Sequence, residues 1–350
     1  MTELRIGLIG CGGIASGHLA QYEKASGARV TAVCDILPER AKAYGERMGV
    51  PEDHWFTDYR ELCACPDVDA VDICTPNNVH VPAANAALDH HKPFCVEKPV
   101  GVNAAEVEAL ADRADTLGIP SMVCFSYRFK PAARYAKSLV EQGLLGSLVQ
   151  VYASYLKDSA FWPGRRLEWR FDGAIARYGV SGDLGVHILD LASFLCGDVT
   201  SVCARMNIAI KERQREDSDE IAPVTTDDAC SFLATMKGGA DAVFSVSRIA
   251  LGNGNHITFD VYGTEGALRF DLDHDDRITV TRRNHEGRNS SVETVQIPES
   301  FRAGQQQTFI NLLHGIRDPY LPTLRDGLRM QRVLDALMTS AETRAWVDVV

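Results

Sequence analysis

Short apolar runs recur along the first third of the chain, each separated from the next by a stretch with helical spacing. LRIGLI (4–9), RVTAVC (29–34), DAVDIC (69–74), PFCVE (93–97) and SMVCF (121–125) are apolar almost throughout, as in strands covered on both faces. Between them, PERAKAYGERMG (38–49) opens on a proline that a first helical turn tolerates and stops near Gly49. NAAEVEALADRADTLGIP (103–120) carries Asn103 and Glu106 at capping-box spacing and ends at Gly118. This alternation predicts parallel strands joined by crossover helices.

After about residue 126 the pattern changes. PAARYAKSLVEQG (131–143) and SGDLGVHILDLASFLCG (181–197) read as helices, and SLVQVYASYL (147–156) as a strand. From 199 to about 296 come successive strands, with turn signals at Lys237-Gly238-Gly239 and around Gly263 and Gly266. Two helices, roughly 302–317 and 325–346, close the chain. The predicted organisation is α/β: a doubly wound parallel domain over 1–125, then an α+β domain with an antiparallel or mixed sheet over 126–350. The segment KERQREDSDEIAPV (211–224) is charged and aperiodic, which predicts a mobile loop, with a lid over a ligand as the alternative.

Composition narrows the function. A formal net charge of −11 argues against nucleic-acid or anionic-membrane partners, which favour basic surfaces. The ten cysteines lie mostly in apolar runs and include no CxxC pair, so buried thiols in a reducing cytoplasm are expected. The N-terminal MTELRIGLIGCGG breaks the apolar stretch a signal peptide needs, and no run approaches the roughly 18 apolar residues of a membrane span. Cys63 and Cys65, or His90 and His91, lack convincing metal-ligand spacing, so no metal is predicted.

The first strand runs into GLIGCGGIASGH (7–18), in which Gly10, Gly12 and Ala15 fit G-x-G-x-x-G/A. Gly10 permits the tight turn, Gly12 admits a pyrophosphate to the backbone, and Ala15 allows close helix–strand packing. Gly13 and Ile14 complete the loop at the helix N-terminus, where N–H groups and the dipole favour an anion. Asp35 ends the second strand twenty residues past Ala15, where an acid binds the adenosine ribose diol. A carboxylate there repels a 2′-phosphate, so the expected cofactor is NAD rather than NADP.

Two further features carry chemistry. PFCVE delivers Lys98 to the carboxyl edge of the sheet, where ligands of open parallel sheets bind; a lysine there can hold a substrate hydroxyl or help move its proton. In the helix 181–197, Asp183, His187, Asp190 and Phe194 form one stripe beside an apolar stripe of Leu184, Ile188, Leu191 and Leu195. A carboxylate one turn from an imidazole, at the edge of a buried seam, suits a general acid/base; a helix cap and a core histidine are the bland alternative.

Together these residues resemble the Gfo/Idh/MocA oxidoreductases (glucose-fructose oxidoreductase, inositol dehydrogenase and rhizopine-catabolism proteins) over essentially the whole chain. The resemblance rests on GCGGIA (10–15), Asp35, TPNNVH (75–80), EKP (97–99), YRF (127–129) and G-D-x-G-x-H-x-x-D (182–190). It implies a Rossmann domain followed by an α+β domain with a large open sheet that commonly makes oligomer contacts, here a homodimer or homotetramer. It implies that Thr75, Asn77, His80, Glu97 and Lys98 approach the cofactor, and that Lys98, Asp183 and His187 line the reacting centre. Pro99 in such an EKP segment often follows a cis bond. Ser126 departs from the family, which often has asparagine before Tyr-Arg. Tyr127, Trp169 and Arg170 fall where the family meets its substrate, as does Trp162. The reading is an NAD-dependent dehydrogenase that oxidises a secondary hydroxyl of a sugar, cyclitol or related polyol, His187 and Lys98 moving the proton and Asp183 orienting His187 or holding a neighbouring hydroxyl. Redox-neutral use of bound NAD in glycoside cleavage or epimerisation, and non-catalytic dinucleotide sensing, are the alternatives.

Overall fold

A computed structural model describes residues 2–162, 164–284 and 290–350. The chain folds as two compact units, residues 1–125 with 303–331, and residues 126–302 with 332–350.

In the first unit six parallel strands run in the order β3-β2-β1-β4-β5-β6. They are β1 (Leu4–Ile9), β2 (Ala28–Cys34), β3 (Trp55–Phe56), β4 (Ala70–Ile73), β5 (Phe94–Val96) and β6 (Ser121–Val123). The crossovers carry α1 (Gly13–Tyr22), α2 (Pro38–Met48), α3 (Tyr59–Ala64), α4 (Asn77–Asp89) and α5 (Ala104–Leu117). The reversal of strand order between β1 and β4 marks the carboxyl edge as the binding edge. Expected helix ends are found: Pro38 opens α2, and Gly49 and Gly118 are left-handed C-caps of α2 and α5. Asn103 accepts the Glu106 N–H at 3.0 Å, but the Glu106 carboxylate reaches the Val102 N–H, one residue before the reciprocal capping-box donor. The sequence pattern did not predict β3 or α3, which are too short to show a period.

The second unit contains α6 (Pro131–Glu141), β7 (Leu148–Leu156), a one-turn α7 (Gly173–Ala176), α8 (Val186–Cys196), β8 (Val199–Asn207) and the hairpin β9 (Glu212–Gln214) with β10 (Ile221–Pro223). It continues with β11 (Ala229–Met236), β12 (Asp241–Ser247), β13 (His256–Gly263), β14 (Gly266–Asp271), β15 (Arg277–Arg283) and β16 (Ser290–Gln296). A nine-stranded sheet runs β16-β15-β14-β13-β7-β12-β11-β8-β17, where β17 is Val347–Asp348. Among the described residues all its pairs are antiparallel except β7 with β12. One face is apolar: Val151, Ala153 and Tyr155 of β7, Phe244 and Val246 of β12, and Ile257, Phe259 and Val261 of β13 are buried.

Two expectations are corrected. Residues 126–350 are not one unit, because 303–331 return to the first. α9 (Gln305–Leu313) buries Gln305, Gln306, Phe309 and Ile310, Gln307 bonds the backbone of Ser26, and Arg325, in α10 (Leu324–Thr343), pairs with Asp112 and Asp115. Local periodicity is blind to where a terminal helix docks. The charged segment 211–224 is an ordered hairpin. Its Arg213 is buried, donates to the carbonyls of Arg165 and Ala160, and lies over the Phe171 ring at 4.3 Å. Among the described residues the stretch Gly173–Cys196 passes a length-and-composition test for a membrane span, but 78% of that window is buried, as for a core helix.

Candidate active site

Each unit carries its own set of candidate residues. In the first, β1 turns through Gly10 at φ 91°, where an added Cβ would lie 2.7 Å from the Cys74 carbonyl oxygen. Glycine is required there by both torsion and space. A Cβ added at Gly12 or Gly13 would meet nothing within 4 Å, so the loop offers open backbone at the start of α1. No side chain caps that helix, and its first turn holds no acid. The arrangement fits a pyrophosphate held by N–H groups and the dipole.

Asp35 stands beside this cradle. Its Oδ2 accepts the Cys11 N–H at 2.8 Å and its Oδ1 accepts the Leu37 N–H at 3.0 Å. These bonds fix the carboxylate, and each oxygen keeps a second acceptor position for a ribose hydroxyl. Ile14 and Ile36 are exposed at the same edge. Burial pushes the Cys11 thiol up to about 12, so the loop cysteine stays protonated.

Thr75 and Asn77 follow β4, with Asn77 the first residue of α4. The His80 ring lies between two backbone oxygens, Nδ1 2.8 Å from Pro99 and Nε2 2.7 Å from Thr75. Burial holds this imidazole below its usual range, so a neutral ring donates to one of them. His80 thus ties the loop after β4 to the loop after β5. The Lys98–Pro99 bond is cis, and Lys98 is half-buried.

Behind Lys98 lies a network that the sequence reading missed. Glu97 is buried, and its Oε2 accepts the Lys98 N–H at 3.3 Å. Its Oε1 is 3.0 Å from Nε2 of His18, whose Nδ1 is 2.9 Å from Oδ2 of Asp72. All three side chains are nearly or fully inaccessible. Burial alone would discharge His18, but the adjacent Asp72 and Cys74 together outweigh it and hold the ring well above its ordinary 6.5. Asp72, despite full burial, is held below its ordinary 3.8 by the same ring. The signal was present: Ala15, His18, Leu19 and Tyr22 form the buried stripe of α1, and Asp72 interrupts an otherwise apolar strand.

Two groups of potential metal ligands occur among the described residues, His18 with Asp72 and Cys124, and His54 with Cys65 and Asp67. In the first, both ring nitrogens face carboxylates at hydrogen-bond distance, which leaves an imidazolium no lone pair for a metal. In the second, Asp67 pairs with Arg5 at 2.7 Å.

In the second unit, the predicted helix 181–197 begins as a π-type turn, Ser181–Gly185, and continues as α8. Such turns are frequent at functional sites. Asp183 lies in the turn and His187 at the second position of α8. The turn is anchored by Asp227, whose buried carboxylate accepts from the Gly179 and Ser181 N–H groups at 2.8 and 2.9 Å. A Cβ at Gly179 would lie 2.2 Å from the Asp227 carbonyl oxygen, so the loop and the turn meet only across a glycine. Leu184, Ile188, Leu191 and Leu195 are buried, as the apolar stripe predicted.

Tyr127 meets His187 edge to face, with ring centroids 4.8 Å apart. The Tyr127 hydroxyl is 2.7 Å from that of Tyr155, which donates to Asn255 Oδ1 at 2.7 Å; Asn255 Nδ2 returns to Tyr127 at 3.0 Å. Burial first, then the neighbouring Tyr127 and Asp183, keep the Tyr155 phenol protonated far above the usual range. Tyr155 and Asn255 escaped the sequence reading because β7 and the loop before β13 carry no motif. Next in chain order to Tyr127, Arg128 forks onto Asp190 of α8, Nε to Oδ2 at 2.8 Å, and lies over the Phe194 ring. Arg170 stacks on Trp169 at 4.4 Å and reaches Asp183 at 3.9 Å. Trp162 is exposed; Pro163 beside it lies outside the described residues. The second unit therefore brings Tyr127 to His187, and Arg170, stacked on Trp169, to Asp183.

A glycine-loop cradle on a doubly wound sheet, with an acid at the end of β2, defines a dinucleotide-binding domain suited to NAD. Residues 4–125 match the oxidoreductase family model with an NAD-binding Rossmann fold, and residues 133–269 match the GFO/IDH/MocA C-terminal domain model. The chain is 30% identical to levoglucosan dehydrogenase of Pseudarthrobacter phenanthrenivorans, over 100% of this chain and 99% of that protein. A solved structure of levoglucosan dehydrogenase in complex with NADH and levoglucosan superposes with a TM-score of 0.90 at 29% identity, covering 100% of both chains. Myo-inositol 2-dehydrogenase of Thermotoga maritima is 27% identical over 79% of this chain and 78% of its own. The chain belongs to the Gfo/Idh/MocA oxidoreductase family.

Proposed function

We propose that this protein is an NAD-dependent dehydrogenase that oxidises a secondary hydroxyl of a sugar, anhydrosugar or cyclitol. The observation that carries the reading is the end-to-end likeness to levoglucosan dehydrogenase, a protein whose name and solved complex identify an anhydrosugar ligand. The myo-inositol relative widens the class to cyclitols. Bound NAD would supply the hydride acceptor for the carbinol carbon. His187 takes the hydroxyl proton, assisted by Lys98. Tyr127 holds the imidazole from the side, and Asp183, braced by Arg170, binds a neighbouring hydroxyl or orients the base. Trp169 and the exposed Trp162 offer aromatic faces suited to the C–H face of a sugar ring. The ten free thiols suit a reducing cytoplasm, and the open face of the nine-stranded sheet suits self-association as a dimer or tetramer.

The test is absorbance of reduced nicotinamide when the purified protein is mixed with NAD or NADP and a panel of anhydrosugars, inositols, hexoses and sugar acids. Reduction of NAD with one compound supports the reading. Tight NAD binding with no reduction by any compound rejects it.

A further inference from the structure

We infer that His18 is a positioning residue for the nicotinamide end of the cofactor site, acting through Glu97. Glu97 follows β5 at the carboxyl edge of the sheet, in the half beyond the switch point, where the second half of a dinucleotide lies. Its two oxygens do different things. One receives the backbone N–H of Lys98 at 3.3 Å, so the carboxylate fixes the start of the Lys98-Pro99 segment. The other is held by Nε2 of His18 at 3.0 Å. The far side of the ring is fixed by both oxygens of Asp72, at 3.0 and 2.9 Å. Gln305 Nε2 lies 3.5 Å from Nε2 of the ring.

Only a protonated imidazole supplies two opposed, coplanar N–H donors, and this one stands between two carboxylates. The ring hangs from α1, the helix whose N-terminus forms the pyrophosphate cradle. It lies five residues past Gly13, or about 7.5 Å along the axis at 1.5 Å per residue. The helix that grips the phosphates and the carboxylate beside Lys98 are thereby joined through one buried side chain. A purely structural ion pair would need only Asp72; the bond to Glu97 is what directs the ring toward the cofactor edge.

The inference depends on NAD binding and not on which sugar is oxidised, so it is tested without substrate. His18→Gln is titrated with NADH, followed by nicotinamide fluorescence, and with ADP-ribose, which lacks the nicotinamide, followed by calorimetry. Loss of one charge-assisted hydrogen bond predicts NADH affinity weakened by about tenfold or more, with ADP-ribose affinity unchanged within about twofold. Equal weakening of both ligands would mean a general disturbance of α1, and no weakening of either would mean Glu97 needs no support; each overturns the inference. If the single variant does not fold, His18→Gln with Asp72→Asn, which removes the fully buried Asp72 carboxylate that would otherwise face a neutral side chain, is read the same way. Should that fail too, the ring ¹⁵N resonances of His18 in the unaltered protein decide. A shift with NADH and none with ADP-ribose supports the role; no shift with either, or equal shifts with both, rejects it.

Discussion

The ring of Tyr127 stands edge-on to the imidazole of His187, its plane at 86° to that ring. The positive edge of one ring meeting the face of another is the favoured arrangement, and the hydroxyl triangle with Tyr155 and Asn255 locks it. Tyr127→Phe keeps the ring and removes one corner of the triangle. It is expected to lower kcat/KM by about three- to tenfold, whereas Tyr127→Ala, which frees the imidazole, lowers it further. Steady-state kinetics with a melting curve for each variant make the check; wild-type kinetics for Tyr127→Ala would remove Tyr127 from the site.

His187 itself is proposed as the base. His187→Ala is expected to lower kcat by about 10²–10⁴, the usual worth of a general base. NADH affinity should hold, because the glycine loop and Asp35 belong to the first unit. Folded His187→Ala with full turnover would reassign the proton transfer.

The fork of Arg128 on Asp190 is nearly inaccessible, with side-chain exposures of 6% and 1%. Breaking a buried pair leaves an uncompensated charge. Asp190→Asn is therefore expected to destabilise the protein by roughly 3–5 kcal/mol. Arg128→Lys should approach that loss, since an ammonium cannot reproduce the two-pronged geometry. Urea unfolding measures both, and a midpoint close to that of the unaltered protein would show that the fork adds little.

Asp35 does two jobs that a single substitution separates from those of its neighbours. Asp35→Ala removes the acceptor for the Cys11 and Leu37 N–H groups. NAD affinity should fall by about tenfold to a hundredfold, and the preference over NADP should shrink, because the repelling charge is gone. Calorimetric titration with both dinucleotides reads the two effects. A variant that still rejects NADP as strongly would place the discrimination elsewhere.

The first half of the fold was legible because each strand is a continuous apolar run and each helix carries its own stop signals. Lys98, Asp183 and His187 stood out as candidates because their motifs are local: a lysine after a strand, and a carboxylate one turn from an imidazole. What remained hidden is what joins residues distant in sequence. His18 and Glu97 are separated by 79 positions, Tyr127 and Asn255 by 128, and Gly179 and Asp227 by 48. The docking of 303–331 on the first unit belongs to the same kind, as does the burial of Arg213 in a segment whose charge predicted a mobile loop. His18 and Asp72 did leave a trace, each being a polar residue in a buried stripe or strand. Only the pairing of the two explains either.

That pairing predicts how stability depends on pH. Asp72 has a lower pKa folded than its ordinary 3.8, so its contribution is present above about 3.8 and is lost as pH falls through the folded value. His18 has a higher pKa folded than its ordinary 6.5, so its contribution is complete below about 6.5 and is lost as pH rises through the folded value, which lies well above 6.5. Cys74, Cys95 and Cys124, which also face this cluster, are all pushed upward by burial and stay neutral through that window, as does Tyr22. Glu97 is the remaining carboxyl neighbour of the ring and is kept in both proteins. The stability difference between the unaltered protein and the His18→Gln/Asp72→Asn variant is therefore expected to be flat from about pH 4 to 6.5 and to fall away on both sides. Its limiting slope is about 1.4 kcal/mol per pH unit for each proton. Chemical denaturation across pH 3–10 measures the curve, and its shape, not its height, is diagnostic. A difference that stays level into the alkaline range up to unfolding would mean the native imidazole is neutral, and the ion pair would have to be abandoned.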